Sequence, residues 1–237
     1  MHSAPVPPRL WVIFLLLLAN AFVFSSLLEA EFITYDDQGC LVKISYINQG
    51  LTWKGVQWVF QGHFLSGSKP DYWAPLTYLS HMVDFEIYRN HAGGHHLTNI
   101  LLHTLNSVLL FFLFKRLTLS TTTSTLLALI WAVHPLNVQS VAWVIERKGL
   151  LSILFCFMTI HAYLSYIRSG KIIFLLASLT VYAFALMSKV TVVTLPVILL
   201  FLDFWPLGHL RWKGMSVTEI RKIFWEKVPF FILSRIS

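Results

Sequence analysis

Two adjacent carboxylates, Asp36 and Asp37, are the residues of this chain most suited to chemistry by their placement. They stand shortly after residues 10–28, an uncharged run whose only clearly polar members are Asn20, Ser25 and Ser26. At about 1.5 Å per residue such a run crosses a hydrocarbon core of about 30 Å, so the pair falls at or near a membrane surface. A carboxylate beside an apolar surface can have a raised pKa and act as a general base, or can hold a metal. The pair also reads as two solvated residues that end the first span.

A second charged group, Glu146-Arg147-Lys148, follows residues 137–145 and immediately precedes another apolar run. Val138, Val141 and Ile145 predict a short interfacial helix there. Arg147 and Lys148 suit a phosphate or pyrophosphate, which they would hold by charge-assisted hydrogen bonds; an ordinary interfacial anchor has the same composition. His95 and His96 open a polar stripe in which His96, Asn99 and His103, at i, i+3 and i+7, share one helix face. Metal ligation is one use of such residues, and packing of satisfied polar groups between helices is the reading preferred here. Lys189 marks a hairpin, where snorkelling and phosphate contact are both open. Asp203, inside an apolar run, is read as structural.

The elements that must position these groups are membrane spans. Of 237 residues, 56% are hydrophobic and 12% charged, against about 25% charged in a soluble domain. Mean hydropathy is +0.66. This predicts an all-α integral membrane protein, a polytopic helix bundle. The net charge of +7 is spread between apolar runs, a pattern of topology and anionic-lipid attraction and not of a nucleic-acid surface. Cys40 and Cys156 give no disulfide framework, and the sequence has no N-x-[ST] sequon.

Six complete spans are predicted, near residues 10–28, 97–114, 119–136, 149–167, 171–188 and 190–207, with the start of a seventh at 228–237. As one helix residues 97–136 would run about 60 Å, twice a bilayer, so a turn near Lys115 must divide them; Lys189 divides 171–207 likewise. Pro196 is expected to kink the sixth span. Arg9, Lys115, Arg116, Arg168, Lys171, Arg211, Lys213, Arg221, Lys222 and Lys227 fall on one side, whereas the short loops opposite hold Arg147, Lys148 and Lys189. The N-terminus is thus cytoplasmic, and the long loop 29–96, with seven of the eleven acidic residues, faces outward together with Glu146. A cleaved signal peptide over residues 1–28 is the rival reading; Ala19-Asn20-Ala21 favours it and the length of the apolar run opposes it. Within the loop, Thr52 is expected to cap a short helix with Val56, Val59 and Phe60 on one face. Pro75 should start another, with Leu76, Leu79, Val83 and Ile87 on one face. Trp53, Trp58, Tyr72, Trp73 and Tyr78 suit a membrane interface.

Several segments in order carry a resemblance: Phe32-Ile33-Thr34-Tyr35-Asp36-Asp37, Tyr72-Trp73-Ala74-Pro75-Leu76-Thr77, His95-His96-Leu97-Thr98-Asn99, His134-Pro135-Leu136-Asn137-Val138, Ser140-Val141-Ala142-Trp143 through Glu146-Arg147-Lys148, Ser188-Lys189 and Asp203-Phe204-Trp205-Pro206-Leu207. Together they resemble the N-terminal membrane part of the protein O-mannosyltransferase-like proteins with C-terminal tetratricopeptide repeats, members of the GT-C class. The resemblance implies one GT-C-like transmembrane domain over residues 1–237. It also implies a polyprenyl- or dolichyl-phosphate sugar donor and a protein Ser/Thr acceptor on the outer or luminal face. Asp36, with Asp37 and Glu146, would then serve catalysis, and Arg147, Lys148 and Lys189 the carrier phosphate; it leaves metal use open. No tetratricopeptide pattern is present, and the expectation is of an N-terminal, truncated portion of such an enzyme. Its membrane would be a bacterial inner membrane or the endoplasmic reticulum. A non-catalytic polytopic remnant or assembly subunit is the alternative. A transporter ranks last, because its ionisable residues should lie near the midplane.

Overall fold

The structure, a computed structural model, describes residues 8–34, 36–61, 73–117, 120–208 and 217–236. Every regular element among the described residues is helical. In chain order the helices are α1 (Pro8–Phe24), α2 (Ser45–Asn48), α3 (Trp53–Phe60), α4 (Pro75–Tyr88), α5 (Ala92–Arg116), α6 (Thr121–Ala132), α7 (Asn137–Ala142), α8 (Arg147–Ser169), α9 (Ile172–Leu186), α10 (Leu195–Phe204) and α11 (Val217–Ile236). The chain divides into two compact units, Met1–Leu150 and Leu151–Ser237.

Three helical stretches are long and apolar enough to cross a membrane: Leu10–Glu29, Ala92–Arg116 and Val144–Ser169. They make this a multi-pass membrane protein. The first is α1 continued through a 3₁₀ turn, Ser25–Glu29. The second starts earlier than the apolar run alone suggested, because His95 and His96 are buried inside it. The other apolar helices, Thr121–Ala132, Ile172–Leu186 and Val190–Phe204, are shorter. The last begins as a 3₁₀ turn, Val190–Thr194, and Pro196 falls in the first turn of α10. There its missing N–H removes no α-helical hydrogen bond, and the change from 3₁₀ to α geometry falls beside it.

In the first unit, Leu16 and Val12 of α1 pack with Phe111 of α5 and with Ala128 and Ala132 of α6. The two alanines let the backbones approach closely, as small residues do between membrane helices. The segment between the first two long helices has its own core, in which Leu41, Ile47, Trp58, Val59, Tyr78, Met82 and Phe85 meet Val144 and Ile145. Thr52 caps α3 as expected, accepting from the Gly55 amide at 3.0 Å, and Pro75 opens α4. The buried faces differ from those expected. In α3 they are Gly55, Trp58 and Val59, with Phe60 exposed. In α4 they are Tyr78, His81, Met82, Asp84 and Phe85, whereas Val83 and Ile87 are exposed. Trp58 and Tyr78 are core residues in edge-to-face contact, 6.0 Å apart, and not interfacial anchors. The cause is that these helices pack on the polar and apolar residues of 141–147, which no hydrophobic period announces. Tyr72 lies outside the described residues.

In the second unit a charged group is enclosed. Lys227 of α11 lies 2.5 Å from Asp203 of α10, and the Tyr163 hydroxyl donates to both Asp203 oxygens at 2.8 and 2.9 Å. Lys227 also meets the Tyr163 hydroxyl. Asp203 and Lys227 are fully buried. The helix that holds Lys227 begins at Val217 and runs on through residues 228–236.

Candidate functional site

The two aspartates separate into different environments. Asp37 is fully buried. Its Oδ2 accepts from the Ile33 amide at 3.1 Å and its Oδ1 from the Ile145 amide at 3.0 Å. Burial pushes its carboxyl above the usual carboxylate range; the backbone N–H groups pull the other way, and the neighbouring Asp36 charge adds to the rise. Asp36 is half-buried, and its carboxylate has no hydrogen-bond or ion-pair partner among the described residues. One carboxylate therefore ties the chain at residues 33 and 145 together, and its neighbour stays available.

The tie brings Asp37 beside Glu146-Arg147-Lys148, and a second set of contacts holds that group from behind. Arg147 is fully buried, and Asp84 of α4 is its counter-ion. Its Nε donates to Asn99 Oδ1 at 2.8 Å, and its other nitrogens reach the carbonyls of Ser80 at 3.2 Å and His95 at 3.0 Å. Asp84 uses its second oxygen for the Thr98 hydroxyl, at 2.9 Å. Asn99 completes the clamp by donating to the Val141 carbonyl at 3.2 Å. Helices α4 and α5 thus grip the start of α8 through one guanidinium. Glu146 and Lys148 flank it as a partly buried pair, 2.9 Å apart. His81, also enclosed here, finds no hydrogen-bond partner for either ring nitrogen among the described residues. Burial above all, then the charge of Arg147, holds it well below its ordinary pKa, so it is neutral.

Asp84 is a site residue that the motifs of the sequence do not single out. A signal existed: Thr77, Ser80, His81 and Asp84 form a polar stripe at i, i+3, i+4 and i+7 along α4. The expected stripe on α5 is present and buried at His96, Asn99 and His103. His103 Nε2 meets the Ala132 carbonyl at 2.8 Å. Lys189 belongs to the second unit, half-buried, at the N-cap of the turn Val190–Thr194. Among the described residues no three or more His, Cys, Asp or Glu converge to hold a metal ion.

Where the first long helix ends and α5 begins there is a cleft of about 410 Å3, lined among others by Glu29, Glu31, Phe32, Gln38, Asn90 and His91. Two of its lining residues approach closely: a Cβ on Gly93 would overlap the Leu28 carbonyl oxygen.

The helices and their charged ends define a multi-pass membrane protein whose ionisable groups in the first unit gather where its spans end. Residues 74–217, more than half of the chain, match the dolichyl-phosphate-mannose-protein mannosyltransferase family, and the chain belongs to that family. It is 33% identical over 111 residues to human "Protein O-mannosyl-transferase TMTC4", covering 41% of this chain and 15% of that protein. To human "Protein O-mannosyl-transferase TMTC3" it is 33% identical over 115 residues, covering 47% and 12%. To mouse "Protein O-mannosyl-transferase TMTC4" it is 28% identical over 180 residues, covering 68% and 24%. The chain therefore spans under a quarter of the length of these relatives. No solved structure matches it.

Proposed function

We propose that this chain is the N-terminal membrane part of a GT-C glycosyltransferase. It would transfer a hexose, mannose by its family, from a polyprenyl- or dolichyl-phosphate carrier to a protein Ser/Thr hydroxyl on the outer or luminal face. The observation that carries the proposal is the division of labour at Asp36 and Asp37. Asp37 is consumed in tying residue 33 to residue 145, and Asp36 stands beside it half-buried and uncommitted. In this mechanism the acceptor oxygen attacks the anomeric carbon with inversion, and Asp36 takes the hydroxyl proton. The bond from that carbon to the phosphate oxygen breaks, and its electron pair leaves with the lipid phosphate. Lys148 is proposed to stabilise the leaving phosphate; Lys189, in the second unit, is kept as a separate candidate for a phosphate contact. Arg147, whose nitrogens are engaged by Asp84, Asn99 and two carbonyls, enters as the residue that holds Glu146 and Lys148 in place. Treating residues 1–237 as one domain, with the shorter apolar helices also crossing and the N-terminus cytoplasmic, is part of the proposal. The family match at 74–217, which includes residues of both compact units, supports it.

The test is Asp36→Asn in the full-length protein, with a lipid-linked hexose as donor. Transfer should fall by about 100- to 10,000-fold, the usual contribution of a positioned base, and the thermal midpoint should not change. Wild-type transfer by this variant would remove Asp36 from the mechanism.

A further inference from the structure

We propose that the cleft between the end of the first long helix and the start of α5 is a subsite for a neutral hexose unit. Its size, about 410 Å3, is near the lower bound of about 300 Å3 for small-molecule pockets, so it admits a single sugar ring better than an extended chain. Its lining selects the chemistry. Among the described residues that line it there is no lysine or arginine, so a phosphate would meet the Glu29 and Glu31 carboxylates with the His91 imidazole in place of a permanent cation. No metal-holding group exists among the described residues. Its polar lining includes two carboxylate acceptors, Glu29 and Glu31, two amides that both donate and accept, Gln38 and Asn90, and the His91 imidazole, with the Phe32 ring beside them. A pyranose is the complement of that set, with hydroxyls that donate and accept around an apolar C–H face.

Two further observations support a built site. The side chains of Glu29, Glu31, Gln38 and Asn90 make no hydrogen bond or ion pair among the described residues, so their capacity is uncommitted. The walls that carry them are nonetheless fixed. Arg89, immediately before Asn90, has a φ of +53°, and its carbonyl meets His95 Nε2 at 2.9 Å. Phe32 packs edge-on against the same His95 ring at 5.1 Å, and His91 Nδ1 accepts from the Gly94 amide at 3.3 Å. His96, one turn into α5 from Ala92, is buried beside the Glu31 backbone, without a well-formed hydrogen bond at either ring nitrogen. A backbone held in a sparsely populated conformation beside uncommitted polar groups is the kind of place where a ligand is recognised.

The inference rests on the sugar-transfer reading for the choice of a sugar over other hydroxylated ligands. It is tested by saturation-transfer NMR of methyl α-D-mannopyranoside with the full-length protein in nanodiscs, which needs no turnover. Ring-proton saturation should be seen with the wild type and should fall at least five-fold in Asn90→Ala, an exposed position that keeps its fold. It should fall likewise in Ala92→Leu, which narrows the cleft. Equal saturation in wild type and both variants, or none in the wild type, would overturn the subsite; so would displacement of the sugar by inorganic phosphate. Sugar transfer without hexose binding would remove the subsite and leave the enzyme reading. Cleft-dependent binding without any transfer would do the reverse.

Discussion

Replacing Asp84 by asparagine keeps the shape of the side chain and removes only its charge, beneath a guanidinium that is fully buried. The oxygen of the introduced amide can still accept from Arg147, and its nitrogen can donate to Thr98, so hydrogen-bond geometry is largely preserved. What is lost is the counter-ion. Breaking a buried pair in this way costs about 3–5 kcal/mol, and the retained contacts to Asn99, Ser80 and His95 put the expected value near 3 kcal/mol. For a chain of this size that lowers the thermal midpoint by about 6–12 °C, at about 2–4 °C per kcal/mol. A thiol-reactive dye reads it directly. The sequence has two cysteines, and Cys40 packs against the loop core that the Arg147 clamp supports. In a Cys156→Ser background only Cys40 reports. Arg147→Met, and the double variant, complete a cycle whose coupling should be about 2–3 kcal/mol. A midpoint within about 2 °C of the parent, with additive single changes, would refute the buried pair.

Two other outcomes follow from buried charges. Asp37 has a folded-state pKa above the ordinary 3.8 because of burial, so its contribution to stability is full below the unfolded value and declines as pH rises through the folded value. The midpoint gap between wild type and Asp37→Ala should therefore be wider at pH 4 than at pH 7; a wider gap at pH 7 would reverse the sign. Lys227→Met removes the buried counter-ion of Asp203, at a cost of about 3–5 kcal/mol. Proteolysis within α11 should accelerate in this variant and slow again when Asp203→Asn is added, and equal rates in all three proteins would show that the pair does not hold the helix.

The long spans were legible because a bilayer asks only for length and apolar composition. The caps at Thr52 and Pro75 were legible because they are local. The helix faces were not. Val83 and Ile87 of α4 follow a hydrophobic period, yet they are exposed, and the buried side carries His81 and Asp84. That side mixes the apolar Tyr78, Met82 and Phe85 with His81 and Asp84, so no clean hydrophobic period marks it. Arg147 and Asp84 stand 63 residues apart, and no spacing rule links positions so distant. The charged triplet 146–148 is plain in the sequence, but nothing in its composition shows that its middle member is enclosed while its neighbours stay near the surface. Asp36 and Asp37 are adjacent and identical in the sequence, and only the fold shows that Asp37 is the one that ties residues 33 and 145 together.

The same separation in sequence sets an order of events during synthesis. Asp84 leaves the ribosome 63 residues ahead of Arg147, and at about 5–20 residues per second it waits about 3–13 s for its counter-ion. Asp37 waits longer, for an amide 108 residues downstream. During that interval α4 holds an unpaired carboxylate, which cannot be buried without a large penalty. The loop between the first two long helices must therefore remain undocked while later helices are inserted, and Arg147 is the latch that closes it. A chain in which the fourth apolar run is missing or inverted would keep Asp84 in water. It would thus display its own assembly error to the folding machinery at the membrane.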